Sequence, residues 1–251
     1  MKTNTIFKNK FLYTLCIPIL LIVSSCSNDD EAQEPDTVNQ DFKIEQVSAK
    51  YDNILDQIIM TMTVKGTAGN TRPTPIGSEN GAPVLGYVFP TSLSSSDVGF
   101  GVTSGIVAMA LTSHPDFDDT PLWDENNDKN YLNDGLVWHA HWVLLKEDLR
   151  VNGKLSVKEF DAGDKTVVLP KTNPGMPMYM DSPGFQVVTS NKTIKVVFPI
   201  AAVRNKTNFN FDGVTAFMKV NTTNSALPLL GVYEVYHVAS TNLSLPYKVE
   251  Q

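Results

Sequence analysis

The chain contains 251 residues, of which 42% are hydrophobic and 19% are charged, so it has enough apolar material for one sizeable core. Its formal net charge is −7 and the sequence has no basic patch, which argues against a nucleic-acid partner. Both cysteines, Cys16 and Cys26, lie near the N terminus, so the remainder of the chain has no disulfide and depends on its core or on bound ions.

The first 25 residues have the pattern of a signal peptide. Three lysines precede an apolar run of thirteen residues, 11–23, which is too short to cross a hydrocarbon layer of about 30 Å as a helix. The sequence Val23-Ser24-Ser25-Cys26 resembles the bacterial lipobox, in which the cysteine is acylated and becomes the new N terminus. We therefore predict cleavage before Cys26 and lipidation of Cys26.

The residues after Cys26 indicate the location of the protein. Residues 27–31, SNDDE, resemble the acidic tract that follows the lipidated cysteine in surface-exported lipoproteins of the Bacteroidota. That resemblance implies an outer-membrane protein that is lipid-anchored and exposed at the cell surface. Residues 26–41 contain almost no large apolar group, which predicts a flexible acidic tether. The signal carries three lysines and no acid, so its removal makes the net charge about −10 and favours cations as ligands.

From residue 42 onward the sequence is typical of an all-β protein. Short runs rich in β-branched and aromatic residues alternate with clusters of Gly, Pro, Asn and Asp, and no helical period of 3.6 residues is present. We predict that residues 42–251 form a single all-β domain of about ten strands, a β-sandwich or a jelly-roll-like fold. The predicted strands are 58–64, 85–89, 101–111, 136–145, 155–160, 166–169, 185–188, 194–200, 214–220 and 232–238.

The segment 116–134 is strongly acidic, with seven carboxylates and one lysine. Such a density of like charge repels itself unless it is solvated or neutralised by a cation. Asp124, Asn126 and Asp128 have the spacing of the oxygen ligands that begin an EF-hand calcium loop, although the glycine and the final glutamate of that loop are replaced. We predict a calcium-binding loop; the alternative is a solvated loop without an ion. The remaining ligands could come from Asp134 or from an earlier carboxylate: Asp116, Asp118 or Asp119.

A second candidate site is the sequence Trp138-His139-Ala140-His141-Trp142. On a strand, both histidines face one side and both tryptophans the other, and two imidazoles so placed can close on one ion. His114, near the end of the preceding predicted strand, is the candidate third ligand, and His237 the fourth. Histidine with carboxylate favours zinc or another transition metal over calcium. The alternative is a pair of core histidines that hydrogen-bond to their neighbours.

Met176, Met178 and Met180 also alternate along the chain. Thioethers on one face of a strand can hold Cu(I), a soft ion. Pro177 and the flanking turn residues instead favour an edge strand or a loop that covers the core.

These patterns predict a surface-tethered lipoprotein whose β-domain binds metal ions and acts as a binding or structural module. The alternative is a metal-dependent enzyme of the hydrolase, lyase or oxygenase type that uses the His-x-His site. His-x-His on a strand is similar to the metal seats of cupins and of α-type carbonic anhydrases, but the spacing of the other ligands departs from both families, so neither implies an activity. No catalytic residue is identified, and a carbohydrate or a protein remains an open class of ligand.

Overall fold

The computed structural model describes residues 39–120, 124, 129 and 135–251. The predicted signal peptide, the predicted lipidation site Cys26 and most of the predicted tether therefore lie outside the described residues. The described part contains thirteen strands and three 3-10 helices and forms one domain, which confirms the all-β prediction. The helices span Gln40–Phe42, Ser95–Val98 and Ile200–Val203. None of the helices in the described part is long and apolar enough to cross a bilayer.

The strands are β1 (Ile44–Asp52), β2 (Gln57–Val64), β3 (Pro83–Pro90), β4 (Ile106–Ser113), β5 (His139–Glu147), β6 (Leu155–Val157), β7 (Met180–Asp181), β8 (Gln186–Ser190), β9 (Thr193–Pro199), β10 (Asn210–Phe211), β11 (Val214–Val220), β12 (Leu230–Val238) and β13 (Tyr247–Lys248).

Six of these strands form a closed antiparallel barrel. Their order is β4-β3-β11-β12-β6-β5, and β5 pairs back onto β4 to complete the circuit. The short β7 pairs with the same edge of β5 as β6 does, further toward the start of β5. Because side chains alternate along each strand, one set of residues from every strand is enclosed within the barrel. We call this enclosed set the barrel core.

A second sheet, of order β1-β2-β9-β8, contributes to a separate core. On β2, every second residue is buried, which is the pattern of a strand with one face covered. Met60 and Met62 of β2 and Val196 of β9 are fully buried in one cluster with residues of the barrel wall, including Tyr87 and Trp142. We call this cluster the sandwich core. The domain thus combines a barrel with a sheet-on-sheet sandwich.

Strand β5 is shared by the two cores. Ala140, Trp142 and Leu144 belong to the sandwich core, whereas Val143 and Leu145 belong to the barrel core. This alternation explains why the sequence of β5 is apolar almost throughout, since both faces of the strand are buried. The same parity turns the two histidines of β5 toward the barrel.

The structure differs from the predicted strand set in five places: β1 and the two-residue strands β7, β10 and β13 have no predicted counterpart, and one predicted strand is irregular. Strand β1 has no predicted counterpart, because a β-bulge between Ile44 and Gln46 shifts its register and breaks the period of two. Residues 166–169, predicted as a strand, are irregular; the Val168 carbonyl accepts a hydrogen bond from the Gly101 N–H at 2.9 Å.

The described part begins slightly before the predicted domain boundary at residue 42. Asp41 is already buried, and its carboxylate accepts hydrogen bonds from the Thr67 N–H at 2.8 Å and the Thr71 hydroxyl at 2.6 Å. Burial alone would raise the pKa of Asp41, but the hydrogen bonds donated to its carboxylate outweigh burial and lower it. Asp41 is therefore part of the folded domain.

Candidate metal centre

Four buried side chains converge at one end of the barrel: His114, Asp119, His139 and His141. One potential ligand atom from each lies within 4.8 Å of all the others, so the group could hold a metal ion. His139 and His141 lie at the start of β5, while His114 directly follows β4. In the β4–β5 pairing, Thr112 is opposite His139. His114 is two residues after Thr112 and so faces the same side, which puts its ring beside His139 and His141.

The distances from Asp119 to the three imidazole rings resemble those of a tetrahedral shell. The Asp119 Oδ1 atom lies 3.3 Å from the His114 Nε2 atom. It lies 3.4 Å from the Nε2 atoms of both His139 and His141. Zinc bonds of about 2.0–2.1 Å in tetrahedral geometry separate neighbouring ligand atoms by roughly 3.3 Å. A single ion could therefore contact all four atoms.

In His114 and in His139, the Nδ1 atom has a hydrogen-bond partner that keeps the ring proton on that atom. The His114 Nδ1–H donates to the Phe117 carbonyl at 3.0 Å, and the His139 Nδ1–H donates to the Val137 carbonyl at 2.6 Å. A carbonyl oxygen only accepts, so in each neutral ring the Nε2 atom presents a lone pair. These two Nε2 atoms lie 2.7 Å apart. Two lone pairs at that distance repel each other, and either a proton on one of the two nitrogens or a metal ion between them would remove the repulsion. Backbone carbonyls that orient imidazoles in this way are typical of metal-binding histidines.

His141 and Asp119 supply the other two donor atoms. The His141 Nδ1 atom lies 3.0 Å from the Ser182 hydroxyl oxygen. The His141 Nε2 and Asp119 Oδ1 atoms are buried and make no hydrogen bond within the described part of the chain. Burying polar atoms without partners is costly, and both atoms are directed at the centre of the group. Both atoms are therefore available as ligands of a metal ion.

The electrostatics of the group also favour a cation. Burial lowers the pKa of His141 to about 3, with the two neighbouring histidines adding to the effect and Asp119 opposing it, so the ring is neutral at pH 7. Burial would raise the pKa of Asp119, but the facing imidazoles, His141 first, hold it well below its usual range. Asp119 is thus a buried carboxylate, and no described Lys or Arg forms an ion pair with it. A metal ion at the centre of the group would lie beside this carboxylate and neutralise its charge.

Gly135 packs closely against His114 and Phe117. Its carbonyl accepts the His114 N–H at 2.6 Å. A Cβ at this position would lie 2.2 Å from the carbonyl oxygens of both His114 and Phe117, so no larger residue fits without moving the backbone. The Phe117 ring stacks on the His114 imidazole with centroids 4.3 Å apart. Glycine at 135 therefore allows the close packing of the backbone against His114 and Phe117.

The predicted calcium loop is only partly described. The Asp124 carboxylate accepts the Lys129 N–H at 2.7 Å, and Lys129 adopts a left-handed conformation with φ of 68°. Asn126, Asp128 and Asp134 lie outside the described residues, so calcium binding stays a prediction.

His237, the predicted fourth ligand, lies on β12 opposite Thr215 and does not belong to the four-residue group.

The sequence predicts Asp119 only as a possible calcium ligand and not as a ligand of the histidine site. The signal that could have identified it is weak: a carboxylate five residues after a histidine that ends a strand. The alternating methionines do not form a separate exposed stripe, since Met178 and Met180 belong to the barrel core.

Comparison of the chain with protein-family models, with curated proteins and with solved structures found no match.

Proposed function

We propose that this protein binds one divalent transition-metal ion, zinc in first place, through His114, Asp119, His139 and His141. The observation that carries the proposal is the 2.7 Å approach of the His114 and His139 Nε2 atoms while both Nδ1 protons are held by carbonyl oxygens. The ion would join the end of β4, the acidic segment and the start of β5. In an exported domain without a disulfide, this cross-link has a structural role.

The donor set favours zinc over calcium. Calcium takes six to eight oxygen ligands, whereas three imidazoles and one carboxylate suit zinc, copper, nickel or iron. Four protein ligands at tetrahedral spacing are typical of structural zinc sites. Zinc also compensates the buried charge of Asp119 without any change in the protonation of the rings.

The test is the metal content of the purified protein after loading with zinc and removal of unbound ions. We expect one zinc per chain, and His141→Ala should weaken binding by more than about 100-fold, since loss of even an outer partner of a ligand costs 10–100-fold. His237→Ala is the matched control, because it removes a histidine outside the group and should retain the ion. Equal zinc content in both variants would contradict the assigned ligands.

A metal-dependent enzyme is the second candidate. It is favoured by one observation: His114, Asp119 and His141 also line a cavity within the barrel. An ion with a coordination position open to that cavity could activate a water molecule or polarise a substrate. X-ray absorption spectroscopy on the zinc-loaded protein separates the two candidates. Four protein ligands alone support a structural centre, and an additional exchangeable oxygen ligand supports the enzyme.

We also propose that Cys26 carries the lipid that anchors the protein to the outer membrane. The support is the lipobox-like sequence 23–26 and the acidic tract that follows it. One acyl chain binds a membrane only marginally, whereas several chains hold a protein firmly. Cys26→Ala should therefore prevent acylation and remove the protein from the outer-membrane fraction, as measured by incorporation of labelled palmitate and by separation of the two membranes. A Cys26→Ala protein that remains with the outer membrane would disprove this anchor.

A further inference from the structure

The barrel core encloses a cavity of about 60 Å³. Of its 24 lining residues, 20 have apolar side chains. The four polar ones among the described residues are Thr112, His114, Asp119 and His141, and three of these belong to the metal centre. The cavity therefore has one polar end, formed by the proposed ligands, and an apolar wall elsewhere.

The size and the wall of the cavity define what it can hold. An apolar cavity of 150 Å³ in an engineered protein stays dry and binds benzene or xenon, so a cavity of 60 Å³ has room for roughly two or three non-hydrogen atoms. A charged or strongly polar guest would lose its hydrogen bonds to water and find replacements only at the metal end. The cavity thus selects small uncharged molecules.

Thioethers form a substantial part of the wall. Met176, Met178, Met180 and Met218 all line the cavity. Methionine side chains are polarisable and have several rotatable bonds, so they give dispersion contacts to a guest and can move to admit it. Val235, which is 37% exposed on β12, also lines the cavity and marks where it comes near the surface.

We propose that the barrel cavity is a binding site for a small uncharged apolar molecule, of the size of dioxygen or another diatomic gas, and holds it against the metal ion. This inference rests on the proposed metal site for the contact with the ion, because that contact requires an ion between Asp119 and His141. The cavity itself consists of protein side chains and does not need the metal. Binding and contact can therefore be measured separately.

Xenon is the probe for the test, and the mature full-length protein is compared in its metal-free, zinc-loaded and cobalt-loaded forms. We expect a saturable change in the xenon NMR shift in the metal-free and zinc-loaded forms. In the cobalt-loaded form, the paramagnetic ion should broaden the xenon resonance strongly. Ala110→Leu should lower xenon affinity about tenfold or more, because its added carbons occupy the cavity. Val214→Leu, also in the wall, is the second variant should Ala110→Leu fail to fold.

Val107→Leu is the matched control: it enlarges a buried residue of the same strand on the opposite face, in the sandwich core, and should leave xenon binding unchanged. Absence of a saturable shift in a protein that binds one zinc would overturn the cavity site and leave the proposed function intact. A xenon shift in a protein that binds no metal would support the cavity site and overturn the proposed function. Saturable binding without broadening by bound cobalt would overturn the contact between guest and ion.

Discussion

Removal of zinc is expected to lower the melting temperature by roughly 8–16 °C relative to protein in zinc at about 1,000 times the dissociation constant. An ion that binds only the folded state contributes about 4 kcal/mol at that excess, and a domain of this size shifts by about 2–4 °C per kcal/mol. The measurement is calorimetry with zinc and with a chelator. The physical reason is that the four ligand atoms come together only in the folded chain.

The zinc effect should be specific to the four-residue group. The His237→Ala protein should show the same shift as the wild type, while the His141→Ala protein should melt at nearly the same temperature with and without zinc. Superimposable melting curves of the wild type under both conditions would leave the four residues as a buried polar cluster without an ion.

Asp119→Asn is expected to destabilise both forms of the protein, and the zinc-loaded form more strongly. Without metal, it removes a carboxylate whose lowered pKa means that the facing imidazoles favour its charged form, so the metal-free protein should melt at a lower temperature. With zinc, it removes the anionic ligand, so affinity should fall by about 100-fold or more, which corresponds to about 2.7 kcal/mol. Calorimetry of both forms, together with a zinc titration, measures both effects.

Asp118→Asn provides the control for this substitution. Asp118 is the neighbouring carboxylate, and its Oδ1 atom accepts hydrogen bonds from the Thr120 N–H and hydroxyl, a role that an asparagine oxygen can fulfil. Zinc affinity should therefore be retained. Unchanged zinc affinity in the Asp119→Asn protein would contradict Asp119 as a ligand.

Several features of the fold could be predicted from local patterns. The division of tryptophans and histidines between the two faces of β5 follows from the geometry of any extended strand. The strands β2 and β9 were also predictable, because only one face of each strand is buried and buried residues therefore alternate with less buried ones along the sequence. Strand β1 was not, since its bulge interrupts the alternation on which such a prediction depends. Closure of the barrel depends on pairings between distant strands, which no local pattern encodes.

The candidate site was also predictable only in part. The histidine pair could be identified because residue parity alone puts both rings on one face. Asp119 could not be assigned to them, because its position depends on how the chain turns after β4 and on the close approach of Gly135. Among the described acidic residues of that segment, burial distinguishes Asp119 as a ligand candidate, and burial is a property of the folded chain.

The position of β5 as a common wall has a consequence for how the domain comes apart. Trp142 anchors one face of this strand in the sandwich core, and His141, its neighbour in the chain, faces the barrel core. Loosening of β5 therefore exposes apolar surface on both sides at once, so neither core can melt while the other stays intact. An ion bound to β5 would therefore stabilise the whole domain, including the sheet that the ion does not contact.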